Sequence, residues 1–205
     1  MSELESFDSK EEWYFNLWLI ELSSYGLVDD QTYHPKPFLL SDKVSLSYVK
    51  ALKKKSKAED AHLLASHEYQ ADWIVYWNKK LLNVLFSDLS VSGRSPKDCP
   101  FIVNWSANRG SFFSVIDIKG TFNQNDAYRR FAIEQKWVYQ KYKIYVQKVI
   151  PMPSVSKTGK ASPASALFLT TFMPERATKT DKQEKDRIIK FRYRLIGEFL
   201  SDFGL

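Results

Sequence analysis

The chain has 205 residues, 44% apolar and 15% aromatic, a globular composition long enough for one substantial core and unlike a disordered or collagen-like chain. Net charge is +6 but uneven: residues 1–118 hold 13 Lys and Arg against 16 Asp and Glu, residues 119–205 hold 17 against 8, so a polyanionic partner suits the second half better. The single Cys99 excludes an intrachain disulfide and a Cys-based zinc site, and no apolar run approaches the ~20 residues of a membrane span. The start, MSELESFDSKEE, lacks the basic and apolar regions of a signal peptide, so the expectation is a soluble protein of a reducing cytoplasm.

The first strong element runs from Ser9 to Tyr25. Ser9 and Glu12 have capping-box spacing, and Trp13, Leu17, Ile20 with Tyr14 and Trp18 recur at helical intervals before Gly26 stops the helix. Glu11 and Glu12 read as first-turn acids favoured by the helix dipole; Glu12 becomes a ligand candidate if other acids converge on it. The prolines of YHPKPF make Val28 to Leu40 extended or edge-like, with His34 a turn histidine. In Leu46 to Lys57, the run KALKKKSK reads as a solvated helix end or as a phosphate-contacting patch.

His67 to Trp77, HEYQADWIVYW, alternates as one aromatic and β-branched strand. It places Asp72 inside an apolar strand, where an unpaired charge is costly, so Asp72 needs a partner and a metal ion is one. Glu68 shares its strand parity. A short apolar run at Leu81 to Phe86, a turn-rich loop at Ser90 to Asp98 and a short strand at Phe101 to Trp105 lead to SFFSVIDIKG, Ser111 to Gly120. In that strand Asp117 and Lys119 share one face, Ile116 and Ile118 the other. An isolated D-x-K is a salt bridge; with further acids it becomes part of a divalent-cation site whose lysine meets the attacking water or the phosphate charge. Pairing of this strand with the one ending at Trp77 brings Asp72 near Asp117.

Asn125 to Tyr142 reads as a helix with Ala127, Phe131, Gln135, Val138 and Tyr142 along one side, and Gln135 or Lys136 toward the sheet edge. Arg129 and Arg130 make its outer side basic, suited to phosphates or to plain solvation. Ile144 to Ile150 returns as a strand, so strand, helix and strand predict an α/β sheet with a crossover connection. Beyond it come a basic polar loop, Ser154 to Ser165, a strand at Leu167 to Phe172, and a basic helix from Thr180 or Asp181 to Phe203.

Taken in order, Glu12 in a helix, Asp72 in a strand, D-I-K at Asp117 to Lys119 in the next major strand and Q-K at Gln135 and Lys136 in the following helix resemble the PD-(D/E)XK nuclease superfamily. VIDIKGTF with RRFAIEQKWVYQKYKIYVQKVIP is similar to small phage-type endonucleases of the Holliday junction resolvase kind. The resemblance spans Ser9 to about Pro151, with Ala71 where the signature proline would stand and Asp117 where Glu is an option. It implies a central mixed β-sheet flanked by helices, the restriction-endonuclease-like αβββαβ core, over residues 1–153, with a basic strand-helix extension, 154–205, packed on the same domain. It also implies Mg2+, with Mn2+ substituting, held by Asp72, Asp117, the Ile118 carbonyl and Glu12, directly or through water. Lys119 would act on the attacking water, and Gln135 or Lys136 would support the site. The implied activity is metal-dependent DNA cleavage, branched or junction DNA included, with Arg129, Arg130, Lys136, Lys157 and Lys160 as nucleic-acid contacts. A homodimer would suit symmetric cutting, in the host cytoplasm if the protein is phage-encoded. The alternative is a non-catalytic nucleic-acid-binding or assembly protein on the same fold.

Overall fold

The computed structural model describes residues 6–53, 55–87, 101–119, 125–151, 171–175 and 188–205. Helix α1, Lys10–Ser24, starts where the Ser9 hydroxyl accepts from the Glu12 N–H at 3.2 Å and donates to Glu12 Oε1 at 2.8 Å. It stops at Tyr25, after which Gly26 turns the chain with φ of +65°, a conformation that glycine adopts without strain. Its buried face is Phe15, Trp18, Leu19 and Leu22, whereas Ile20 is 51% exposed. The stripe is therefore rotated from the one the sequence predicts, because α1 carries apolar residues nearly all round and periodicity alone cannot set its phase.

Strands β1 (Val28–Tyr33), β6 (Trp73–Trp77), β8 (Ser111–Ile118) and β9 (Val146–Pro151) lie side by side in that order in a seven-stranded sheet. Strand β6 is antiparallel to both of its neighbours, β1 and β8, and β9 runs parallel to β8. A parallel neighbour needs a long crossover, and α2 (Asn125–Tyr142) supplies it. The short β7 (Asn104–Ser106) flanks β8, and β11 (Ile188–Arg194) with β10 (Thr171–Glu175) widens the sheet beyond β9. The result is a mixed α/β fold with mostly antiparallel pairing.

One sheet face packs on α1. There Trp73, Val75, Trp77, Ile116, Ile118 and Val149 meet Phe15, Trp18, Leu19 and Leu22, with Leu81, Phe86 and Phe101 closing the end. Each fully buried large side chain contributes roughly 1.5–3 kcal/mol. On the other face Val115 and Val146 meet Phe131 and Val138 of α2, joined by Leu40, Tyr69 and Ala71. Strand β2 (Phe38–Ser41) pairs with β5 (His67–Tyr69) as a small ribbon beside it, and β3 (Val44–Ala51) pairs with β4 (Ser56–Leu64) as a second ribbon.

Three expectations need correction. The single strand through Asp72 is two strands, β5 and β6, in different sheets, so Asp72 stands at the head of β6 and not inside a strand. KALKKKSK is the tip of the β3–β4 hairpin, not a helix end: Leu52 N–H donates to the Lys55 carbonyl across the turn at 2.8 Å. Of the forecast C-terminal helix, residues 180–187 lie outside the described residues, Ile196–Phe203 forms the helix α3, and Ile188–Arg194 forms β11. In that segment Ile189, Phe191 and Tyr193 alternate with Lys190, Arg192 and Arg194, a period of two that fits a strand. The forecast strand over residues 167–172 overlaps β10 at Thr171 and Phe172 only, and residues 167–170 lie outside the described residues.

Within the α1-side core, Trp77 Nε1 donates to Ser114 Oγ at 2.9 Å, and Ser114 Oγ donates to the Ile102 carbonyl at 3.2 Å. Ser114→Ala strands the buried indole N–H. It is expected to lower the unfolding free energy by about 1–3 kcal/mol, read as a lower urea midpoint at unchanged m value.

Candidate functional site

Asp72 and Asp117 meet at one end of the sheet. Asp72 is fixed from three sides: its N–H donates to the Ile116 carbonyl at 3.0 Å, its carbonyl accepts from the His34 N–H at 2.9 Å, and its Oδ2 accepts from the Ile118 N–H. Register places Trp73 against Ile116, so the residue before it falls level with the last turn of β8, and even parity turns Asp72 to the same face as Ile74, Val115 and Asp117. Asp117 is buried at 4% exposure, with Oδ2 accepting from the Tyr69 hydroxyl at 2.6 Å. The Lys119 ammonium lies against Asp117 Oδ1 as an ion pair.

The two acids open into a cavity of about 410 Å³ lined by Tyr69, Asp72, Asp117, Lys119, Arg130 and Glu134, with Glu68 and Gln70 at its margin. Four of its lining groups are carboxylates and two are cationic. Burial first, then the Asp117 charge, raises the Asp72 carboxyl to about 8, and Glu12 pushes it in the same direction, against the opposing pull of the Ile118 N–H and Lys119. Burial likewise raises Asp117, against the pull of Lys119 and of the Tyr69 hydroxyl. Burial, followed by the Asp117 charge, holds the Tyr69 hydroxyl well above the ordinary phenol range, so it remains a donor. Two ammonium groups share one ring: Lys119 Nζ and Lys148 Nζ lie 5.8 and 5.6 Å from the centre of Phe131, and Lys148 is in register with Asp117.

The remaining predicted residues are distributed around this cavity. Glu12 is buried on the α1 side, where its Oε2 accepts from the Tyr33 hydroxyl at 2.5 Å. It reaches Asp72 through its charge, and it groups with Asp8 and His34, one ligand atom of each lying within 4.8 Å of the others. Ile118 turns its side chain into the α1-side core and its N–H to Asp72. Gln135 is buried, its amide donating to the Val146 carbonyl at 2.7 Å, and with Lys136 it lines a separate hollow beside Ile102, Tyr139 and Tyr145. Arg130 reaches the acidic cavity and pairs with Glu134 at 2.8 Å, while Arg129 is exposed. Lys157 and Lys160 lie outside the described residues.

Two lining residues escape the sequence reading. Tyr69 lies 48 residues from Asp117 and reads as one more strand aromatic. Glu134 carries no expectation from the sequence, yet it is 6% exposed and pairs with Arg130 and with His67 Nε2 at 3.3 Å. Its spacing is the available signal: three residues after Phe131 and four before Val138, it belongs to the inward stripe. Comparison with protein-family models, curated proteins and solved structures finds no match to this chain.

Chemically, the set is hard and all-oxygen at its acidic end, and Asp117 Oδ1 meets the Lys119 ammonium. Such a set fits a divalent cation of the Mg2+ or Mn2+ kind. Without one, crowding of the carboxylates stores instability that depends on pH. A carboxyl raised from 3.8 to about 8 in the fold binds more protons folded than unfolded, so stability falls as pH rises between those values and levels off above. Asp72→Asn keeps an acceptor for the Ile118 N–H and removes the charge. In EDTA at pH 8 it is expected to melt at least roughly 2–4 °C above the parent, the shift that about 1 kcal/mol produces at this size, with a flatter melting profile from pH 5 to 8. A lower melting temperature at pH 8 would show that the ionised carboxylate stabilises the fold.

Proposed function

We propose that the chain is a metal-dependent DNA endonuclease of the PD-(D/E)XK kind. The observation that carries this reading is the convergence of Asp72, Asp117 and Lys119 on one open cavity, with the two acids at the adjoining ends of β6 and β8. The order α1, β1, β6, β8, α2, β9, with antiparallel pairing through β8 and a parallel β9, supports it as the αβββαβ arrangement that the resemblance implies.

Asp72 and Asp117 would hold Mg2+ or Mn2+, with Glu12 contributing through its field on Asp72. When bound, the cation supplies positive charge against the phosphodiester and acidifies nearby water. The chain's own groups do the rest. Tyr69 keeps Asp117 Oδ2 occupied by a neutral donor, which orients the carboxylate so that Oδ1 turns to Lys119. Lys119, partly exposed beside a buried partner, presents its ammonium to the cavity, where it orients the attacking water and meets the charge that develops on the phosphoryl oxygens. Arg130, at the rim and mostly exposed, meets the flanking phosphate as a planar donor while Glu134 restrains it.

Cleavage of labelled four-way junction, flap and linear duplex DNA in Mg2+ or Mn2+ tests the reading. Asp117→Asn is expected to abolish cutting, and Lys119→Met to lower kcat by about 10²–10⁴ with little change in KM, the range for loss of a positioned proton-transfer group. Binding of DNA with no cutting of any substrate would overturn catalysis and leave a binding or assembly factor. A second expectation concerns protons. Because Asp72 titrates near pH 8, Mg2+ binding at pH 7 should release protons, seen as a calorimetric heat that scales with buffer ionisation enthalpy and disappears in Asp72→Asn.

A further inference from the structure

The β3–β4 hairpin lies outside the chemistry above. Every residue of β3 and most of β4 are exposed, and neither strand joins the main sheet. At ~3.4 Å per residue, β3 alone reaches about 27 Å. Charge along this arm is concentrated at its end. Lys50 to Glu59 contains five lysines and one acid, net +4, within residues 1–118 whose net charge is −3. Lys50 lies directly across from Lys57, a like-charge pair that disfavours the ribbon. Both lean on Glu59, 3.5 Å from each, and Lys53 and Lys55 in the turn have no acidic partner among the described residues.

Lysines on a ribbon also guard against edge-to-edge pairing. Guarding would place them along the length of the edges. Instead the arm exposes apolar side chains from Val44 and Leu64 at its base to Val49 and Leu52 near its end, and the lysines gather at the turn. A repelling pair with two unneutralised neighbours is stabilised by a polyanion. Strand β4 ends at Leu64 and β5 begins at His67, so the arm is joined by a short path to Tyr69, which touches Asp117.

We propose that the tip of the β3–β4 hairpin, Lys50, Lys53, Lys55 and Lys57, grips the phosphate backbone of duplex DNA away from the acidic cavity. The assignment rests on the nucleic-acid reading above and adds a second, non-catalytic contact. An arm of this length spans roughly eight base pairs at ~3.4 Å each.

The test is binding of the full chain to a labelled 30-base-pair duplex in EDTA between about 50 and 200 mM KCl, the range over which phosphate-bound proteins lose affinity steeply. The fourfold variant Lys50→Gln, Lys53→Gln, Lys55→Gln, Lys57→Gln should lower the log–log salt slope by roughly 2–4, at about 0.9 for each phosphate that the variant leaves unneutralised. The corresponding fourfold Lys→Arg variant should keep it. An unchanged slope in the Gln variant, or no duplex binding by the parent, overturns the proposal. So does a parent dimer that Leu46→Ser with Val49→Ser disperses while the Gln variant keeps the slope, since the arm then serves a second copy. Cleavage in Mg2+ is read separately. Cutting by the parent with an unchanged slope in the Gln variant removes the arm and leaves the nuclease; a reduced slope with no cutting by the parent does the reverse.

Discussion

Asp72 ties three strands together. Its N–H bonds to β8, its carbonyl accepts from the residue that follows β1, and its carboxylate accepts from the Ile118 N–H. Each bond satisfies a polar group that would otherwise be unpaired at a buried strand end, so the backbone has little freedom there. The same bonds hold a carboxylate against Asp117, where neither anion is comfortable. Local electrostatic instability is thus maintained by backbone hydrogen bonding and by the tryptophan-rich core behind it, a division commonly met at functional sites.

The two faces of the sheet divide the work. Toward α1 the face is apolar, with Trp18 packed on Trp77 and Phe101 at ring-centre distances of 6.1 Å, and it supplies the rigidity. Toward α2 the face begins with Val115 and Val146 and becomes polar at its end, where Asp117, Lys119, Lys148 and Glu134 collect around Phe131. A site seated on strand ends and a helix is held more precisely than one on loops. Strand β11 adds to this by covering the open edge of β9, which would otherwise present unpaired backbone groups, and β10 pairs with β11 in turn.

Charge placement separates two kinds of surface. The cavity gathers acids with a few cations among them, and the hairpin tip gathers lysines around a single acid. Within residues 1–118 the excess of acids therefore does not describe any one place on the molecule. Field depends on arrangement rather than on totals.

Local features were legible in the residues themselves. The Ser9 cap, the Gly26 stop, the span Asn125–Tyr142 of α2 and the shared face of Asp117 and Lys119 all appear where contiguous residues place them, because capping and strand parity act over one to four positions. The β11 segment carried a usable alternation, but the many charged helix formers around it favoured the wrong period. What only the tertiary structure decided is which groups converge. Packing of the β2–β5 ribbon beside the main sheet brought Tyr69 to Asp117, the rotation of α2 turned Glu134 and not Gln135 into the cavity, and the packing of α1 gave Glu12 to Tyr33. Those outcomes depend on how separate elements pack, and no short stretch of sequence contains that information.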